Sequence, residues 1–419
     1  MKKVFLSALV AGGMMVLLGA CSSGDTGGGS EGMTLEIWDM QQSSKDVAAA
    51  YAPIVEAFEA DNPGAEVNVT TFPFAQYRDK VLLAMKGGTG PDVLALDQVW
   101  MAEFAAGGLV APLDDQLAES DSISGDDFFQ GAWASNSYED QTWGVPLNAD
   151  VWEQMYYNAD LFTEAGLDPE NPPTTWDEWT EAAAALTKAP DQFGISLMGC
   201  KDEGTVVMSD SFLFSNGGSI VEDGSATFDS EENIGALSQY QDLLEYSPSG
   251  TAGACEQDAV ARFTSGTAAM LLAGSWQQDT MKDAAQFDWR IAVPPAPEGK
   301  SFVGALGGWN LAINAKSENP DLAFAWIESM SQADNQAAVN SLIPALQAAG
   351  EEFIMANRSQ PEVVLATLNN GAPRPLSPVY PAISQAQQDV MQAIIGGESP
   401  ENAVVTAQGK IADALSALD

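Results

Sequence analysis

The segment from Thr34 to Asp97 alternates between strand and helix patterns, and this alternation constrains the fold more than any other feature of the chain. Apolar residues at every second position, or in one short continuous run, predict strands at 34–38, 67–71 and 93–96. Between them, 45–61 and 76–86 repeat apolar residues at the spacing of one helical face. Strands and helices in this order predict right-handed crossovers and a parallel sheet. We therefore expect an α/β fold.

The ends of these strands are the first candidate ligand positions. In open α/β sheets, ligands gather beyond the carboxyl ends of the strands. Gln41 and Gln42 follow the first strand, and Asp97 ends the third. We expect all three residues at a ligand-facing rim, although Asp97 could instead cap the helix that follows it.

Charge and the absence of histidine exclude several functions. The 419 residues include 16 Lys+Arg, 59 Asp+Glu and no histidine, which gives a net charge of −43. Such a surface repels phosphate backbones and anionic lipids, so we expect no nucleic-acid partner. Without histidine there is no Ser-His-Asp or Cys-His catalysis and no imidazole metal ligand. The composition therefore favours binding over catalysis, and we expect no metal and no cofactor.

The first residues read as an export and anchoring signal. Residues 1–20 have a basic start and an apolar core, as in a secretory signal peptide. Their end, Leu18-Gly19-Ala20-Cys21, resembles the bacterial lipobox, in which Cys21 would become the lipidated (palmitate-bearing) first residue. Residues 21–32 are rich in Gly and Ser and predict a flexible tether. An ordinary signal peptide that happens to end near a cysteine is the alternative.

The three cysteines fit this export signal. If Cys21 is lipidated, Cys200 and Cys255 remain as one possible disulfide, which an oxidising location permits. Two buried free thiols are the alternative.

Ten short motifs follow one another along the chain. In order they are Phe58 with Asn62-Pro63, Gly90-Pro91-Asp92-Val93, Gly107-Gly108-Leu109, Gly144-Val145-Pro146, Tyr156-Tyr157-Asn158, Thr175-Trp176-Asp177-Glu178, Phe263 with Gly266, Gly274-Ser275-Trp276, Gly307-Gly308-Trp309-Asn310 and Arg374-Pro375. This set is similar to the extracellular solute-binding proteins of bacteria, and it most resembles their carbohydrate-binding branch, related to maltose-binding protein. The number and order of the motifs, over about residues 34–415, carry the resemblance.

The resemblance implies a type II periplasmic-binding-protein fold, with two lobes of parallel-type sheets and helices around a cleft. We expect residues 33–145 and 298–343 in the N-terminal lobe, and 146–297 and 344–419 in the C-terminal lobe. It also implies a monomer, not an enzyme, that carries a mono- or oligosaccharide to the permease subunits of an ABC importer. The lipid on Cys21 would hold it at the outer face of the cell membrane.

Sugars present hydroxyl edges and apolar C–H faces, so a site for them needs aromatic platforms and fixed polar groups. The resemblance makes Trp276 and Trp309 platforms, and Gly308 lets the backbone approach the ligand. Both tryptophans could instead be core residues. Further candidates for polar or aromatic contact are Gln41, Gln42, Asp97, Asp150, Arg374 and Tyr380.

Two other functions stay open at this point. The same fold could bind a polyamine, a peptide or a metal chelate, and the acidic surface could suit a polycation. An exported carbohydrate-active enzyme with a carboxylate pair is less favoured, because nothing places two acids at a defined spacing. Where relatives can place an aromatic or acidic residue in the cleft, this chain has Thr205–Met208, which argues against a long maltodextrin-type platform and favours a shorter or different sugar.

Overall fold

The computed structural model describes residues 33–41, 47–339 and 342–418. The signal peptide, the tether, Cys21 and Gln42 lie outside these ranges, and for Gln41 only the backbone is described. The strands are β1 (Met33–Gln41), β2 (Ala65–Pro73), β3 (Val93–Asp97), β4 (Ser137–Tyr138), β5 (Gln141–Thr142), β6 (Val145–Pro146), β7 (Asn148–Val151), β8 (Gln154–Asn158), β9 (Phe193–Ser196), β10 (Val221–Glu222), β11 (Ser225–Ala226), β12 (Ala268–Ala273), β13 (Trp289–Ala292), β14 (Gly304–Gly307), β15 (Trp309–Ile313), β16 (Ile343–Pro344) and β17 (Gly371–Pro373).

The helices cover the faces of these sheets. They are α1 (Val47–Asp61), α2 (Phe74–Gly87), α3 (Met101–Ala106), α4 (Asp114–Glu119), α5 (Gln130–Ala134), α6 (Ala159–Glu164), α7 (Trp176–Leu186), α8 (Glu203–Ser215), α9 (Glu231–Leu244), α10 (Glu256–Thr264), α11 (Gln277–Ala284), α12 (Pro320–Met330), α13 (Ala333–Val339), α14 (Gln347–Asn357), α15 (Pro361–Asn369), α16 (Tyr380–Ile395) and α17 (Pro400–Ser416). Within the described ranges, no helix is both long and apolar enough to cross a membrane.

A five-stranded sheet in the order β2-β1-β3-β15-β6 forms the first lobe. β1 pairs in parallel with β2 and with β3, which confirms the predicted strand–helix alternation. β15 returns from late in the chain and runs antiparallel to β3 and β6, so the sheet is mixed. This pairing sets Trp309 directly opposite Asp97 at the end of β3.

The second lobe is built on a four-stranded sheet in the order β13-β8-β12-β9, also mixed, since only β12 and β9 are parallel. Its core is separate from that of the first lobe. The start of α7 has a capping box: the Thr175 hydroxyl accepts from the Glu178 N–H, and the Glu178 carboxylate accepts from the Thr175 N–H. The ring of Trp179 stacks on Phe212 in this core, with centroids 5.7 Å apart.

A third sheet, in the order β16-β7-β14-β17, lies where the chain passes between the lobes. The chain leaves the first lobe through β6, continues through β7 and enters the second lobe at β8. On the return, Phe302 and Leu306 still pack in the second core, whereas Trp309 packs in the first. The lobe boundary expected near residue 298 stays a prediction. The protein is thus a two-lobed α/β molecule with short linking strands between its cores.

Candidate functional site

A cavity of about 440 Å³ lies between the two lobes. Its lining comes from the start of α2, the turn after β3, the segment between β7 and β8, and the starts of three second-lobe helices. These residues are Phe74, Arg78, Asp79, Trp100, Trp152, Asp202, Glu203, Gly204, Glu256, Gln257, Tyr380, Pro381, Ser384 and Gln388. This size lies within the range of small-molecule sites in proteins.

The first lobe contributes aromatic surface to the cavity. Phe74 begins α2, and Trp100 ends the short turn that follows β3. Their rings stack with an interplanar angle of 13° and centroids 5.7 Å apart. Phe74 also touches Trp309, whose ring is buried behind it at 5.4 Å. Within the described residues the indole N–H of Trp309 has no hydrogen-bond partner.

The second lobe contributes three helix starts, those of α8, α10 and α16. Asp202 caps α8 by accepting a hydrogen bond from the N–H of Thr205 at 3.1 Å. Glu203, Glu256 and Tyr380 are the first residues of the three helices and all line the cavity. Acidic residues are favourable at these positions because the N-terminus of a helix carries partial positive charge.

Three donors fix the Glu203 carboxylate. Oε1 accepts from Arg374 Nη1 at 2.7 Å and from the Tyr380 hydroxyl at 2.5 Å, while Oε2 accepts from Ser384 Oγ at 2.6 Å. The side chain remains 18% exposed, toward the cavity. Glu203 is therefore a fixed acceptor with one of its four lone pairs left for a ligand hydroxyl.

Arg374 joins the two lobes below the cavity wall. Its Nη2 donates to Asp97 Oδ1 of the first lobe at 2.8 Å, and its Nη1 donates to Glu203 of the second. Both Arg374 and Asp97 are buried, and neither is among the cavity-lining residues. Burial raises the pKa of Asp97, and the guanidinium offsets this only in part.

Trp276, the predicted platform, is not among the lining residues but contacts one of them. Trp152 lines the cavity and meets Trp276 edge to face, with centroids 5.1 Å apart. Trp276 Nε1 donates to Glu256 Oε1 at 3.0 Å, and burial raises the pKa of Glu256. Glycine is required at Gly307, where a Cβ would lie 2.4 Å from Trp152 Nε1.

Asp150 and Gly308 lie in and beside the linking sheet, away from the cavity lining. Asp150 accepts from Ser275 Oγ at 2.6 Å and from the N–H of Val151 at 2.8 Å, and burial raises its pKa to about 7. Gly308 has a φ of 147°, and a Cβ there would lie 2.3 Å from the carbonyl oxygen of Asn148. Both residues thus fit positions inside the link between the lobes.

The structure brings only part of the predicted set to the cavity. Tyr380 lines it, Trp309 and Trp276 each pack against a lining ring, and Asp97 and Arg374 pair beneath it. The side chains of Gln41 and Gln42 are outside the described part of the chain. As ligand contacts, all of these residues stay predictions.

Sequence reasoning missed Phe74, Trp100, Trp152, Glu203 and Glu256. Trp100 and Trp152 follow the predicted residues Asp97 and Asp150 by only three and two positions, and that proximity was the available signal. The segment Thr205–Met208, expected in the cleft, is buried inside α8, and the preceding Asp202, Glu203 and Gly204 face the cavity instead.

Comparison with known proteins agrees with this architecture. The family model for bacterial extracellular solute-binding proteins matches residues 41–337. The chain belongs to this family. A putative binding protein of Brucella abortus is 26% identical over 377 residues, which cover 87% of this chain and 89% of the relative.

Two solved structures of sugar-bound relatives share the fold. An ABC transporter solute-binding protein of Thermotoga lettingae, bound to α-D-tagatose, has a TM-score of 0.79 at 28% identity and covers 91% of this chain and 100% of its own. The GacH receptor of Streptomyces glaucescens, solved unliganded and with acarbose, has a TM-score of 0.78 at 27% identity and covers 91% of this chain and 98% of its own. The family and these neighbours are substrate-binding proteins of ABC transporters, not enzymes, so this chain is a solute-binding component of such a transporter.

Proposed function

We propose that this protein is the lipid-anchored carbohydrate-binding component of an ABC importer. The observation that carries the proposal is the interlobe cavity, which is lined both by the aromatic residues Phe74, Trp100 and Trp152 and by Glu203, whose carboxylate is held by Arg374. Aromatic faces can cover the C–H face of a sugar ring, and a fixed carboxylate accepts its hydroxyl hydrogens. The bound sugars of the two solved relatives, α-D-tagatose and acarbose, support the same ligand class.

Binding would couple to closure of the lobes. Phe74 and Trp100 belong to the first lobe, whereas Glu203 and Glu256 belong to the second, so a ligand between them gains its full set of contacts only when the lobes are together. A ligand that contacts one state better shifts the population toward that state. The closed, loaded form would then deliver the sugar to the permease subunits.

The acidity of the cavity gives no reason to prefer a polyamine. Among the described lining residues, four carboxylates (Asp79, Asp202, Glu203 and Glu256) accompany Arg78. The whole chain has a similar ratio, 59 acidic to 16 basic residues. The ratio of acidic to basic residues in the lining is therefore close to that of the whole chain, and this ratio does not favour a polycation over a sugar.

Isothermal titration calorimetry against a panel of mono- and oligosaccharides tests the ligand class. We expect saturable heat with at least one sugar, and none with spermidine or short peptides. Binding of a non-sugar solute with no heat from any sugar would refute the carbohydrate assignment but leave the family assignment unchanged.

The anchor is tested separately by Cys21→Ser in the natural host. The proposal predicts that the wild-type protein sediments with membranes and that the variant appears in the soluble exported fraction. An equal distribution of the two proteins would contradict lipidation of Cys21.

A further inference from the structure

The disulfide between Cys200 and Cys255 joins two segments that lead directly into second-lobe residues of the cavity lining. Cys200 is followed by the lining residues Asp202, Glu203 and Gly204, and Cys255 by Glu256 and Gln257. The bond therefore cross-links two lining segments that are 55 residues apart in sequence, at the points where α8 and α10 begin.

Each of these helix starts supports a different part of the cavity. The start of α8 carries Glu203, which is bonded to Arg374 and thereby reaches Asp97 in the first lobe. The start of α10 carries Glu256, which accepts from the indole of Trp276, and Trp276 packs against the lining ring of Trp152. A shift between the two starts would alter the spacing between the Glu203 carboxylate and the ring of Trp152.

Contacts around the bond indicate that its loss would act locally. The N–H groups of Gly199 and Cys200 both donate to the carbonyl of Ala254, and the Tyr240 hydroxyl donates to the carbonyl of Met198. The helices α8 and α9 pack their buried faces into the common core of the lobe. These hydrogen bonds and core contacts do not depend on the S–S bond, so we expect the lobe to stay folded when the bond is broken.

We propose that the Cys200–Cys255 disulfide is a positioning element of the ligand site: it holds the starts of α8 and α10 at the spacing that forms the second-lobe wall and thereby raises ligand affinity. The inference rests on the proposed function for its affinity readout, but not for its structural readout. If the disulfide has this role, full ligand affinity requires an oxidising location, which agrees with the predicted export of the chain.

The test compares oxidised and reduced protein in a Cys21→Ser background, so that no third thiol is present. Dithiothreitol converts the S–S bond into two thiols and is itself oxidised to its cyclic disulfide. EDTA is included because the Cys200, Asp202 and Cys255 ligand atoms lie within 4.8 Å of one another and thiols there could take up metal. A Cys200→Ala/Cys255→Ala variant repeats the comparison without reductant.

We expect faster amide exchange at the first turns of α8 and α10 in the reduced protein and in the variant, with the α9 interior unchanged. For the sugar that gives the strongest heat with oxidised protein, we expect binding about tenfold weaker, because a site held loosely loses contact geometry. Val404→Ala, in the buried face of α17, is the matched control: it lowers stability through a core cavity and leaves affinity unchanged.

Unchanged exchange at both helix starts, or unchanged affinity despite faster exchange, would overturn the proposal. If Val404→Ala weakens binding as much as loss of the disulfide, the effect is one of general stability and the positioning role is wrong. If no sugar binds even the oxidised protein, the proposed function fails while the exchange measurement still decides whether the bond holds the two helix starts.

Discussion

The two walls of the cavity differ in chemistry. The first-lobe wall is mainly aromatic, with Phe74 stacked on Trp100, and its two charged residues, Arg78 and Asp79, pair with each other at 3.2 Å. Arg78 also pairs with Glu103 at 2.6 Å. The second-lobe wall consists of helix starts that carry the carboxylates of Asp202, Glu203 and Glu256. One lobe thus offers mainly apolar area, and the other offers mainly hydrogen-bond acceptors.

This difference suggests that the first lobe contributes mainly affinity and the second lobe mainly selectivity among sugars. Contact with apolar area contributes free energy without demanding one orientation, whereas hydrogen bonds to fixed acceptors select the arrangement of hydroxyl groups. Substitutions in the first wall should therefore weaken binding of many sugars alike, and substitutions in the second should change the preference among them.

The largest expected effect on affinity comes from the aromatic wall. Trp100→Ala removes a stacking surface and should weaken sugar binding by roughly 30-fold, equivalent to about 2 kcal/mol, as for buried aromatic residues at interfaces. Calorimetry with several sugars measures it. Trp100→Phe keeps an aromatic face and should restore most of the affinity; if it is as weak as Trp100→Ala, stacking is not the contribution of this residue.

A smaller loss, with altered selectivity, is expected from Glu203→Gln. The amide keeps the shape but accepts fewer and weaker hydrogen bonds, which should weaken the preferred sugar by about tenfold while epimers lose less. The matched control is Glu231→Gln. Like Glu203, Glu231 is the first residue of a helix and follows a capping residue, here Ser230, but it is exposed and lies outside the cavity lining. A uniform loss across all sugars would contradict the division between the walls.

Asp97→Asn should separate stability from binding. Asp97 lies beneath the wall, so affinity should fall by no more than about threefold. Unfolding should become easier by about 2 kcal/mol, less than for a fully broken buried pair because Arg374 keeps Glu203. Urea unfolding and calorimetry on one preparation give both numbers. A loss of affinity equal to that of Glu203→Gln would make Asp97 a direct ligand contact.

The smallest expected effect on binding comes from Asp150 in the linking sheet, whose influence is on pH dependence. Burial raises its folded pKa to about 7, so the folded state holds a proton that the unfolded state has already released. This contribution lowers stability as pH rises from about 4 to 7, by about 1 kcal/mol per pH unit. Urea unfolding of Asp150→Asn across this range should show a slope less negative by that amount. An unchanged slope would mean that Asp150 does not titrate there.

The sequence predicts the first part of the fold well because local pattern and tertiary structure agree there. The alternation at Leu35 and Ile37, the helical face of α1 and the continuous run of β3 each have one reading. The mixed character of the sheet was missed, since β15 enters beside β3 from more than 200 residues away. No local pattern records that pairing.

The cavity was harder to predict because a residue lines it only if its side chain points into it, and sequence position alone does not give that direction. Tyr380 was identified through the resemblance, but Glu203 was not, since it lies in a short polar run with no periodic signal. The sequence indicates Thr205–Met208 as the segment at the cleft, but these residues are buried in α8. The residues that line the cavity lie three positions earlier, at 202–204. Asp97 and Arg374 were seen as separate ligand contacts, and only the folded chain pairs them.

A crystal structure with the best-binding sugar shows whether the ligand contacts both walls of the cavity. We expect density for the sugar between the lobes, with one ring face against Phe74 or Trp100 and a hydroxyl within hydrogen-bond distance of Glu203. A sugar bound elsewhere, or one seated in the cavity without contact to both walls, would contradict it.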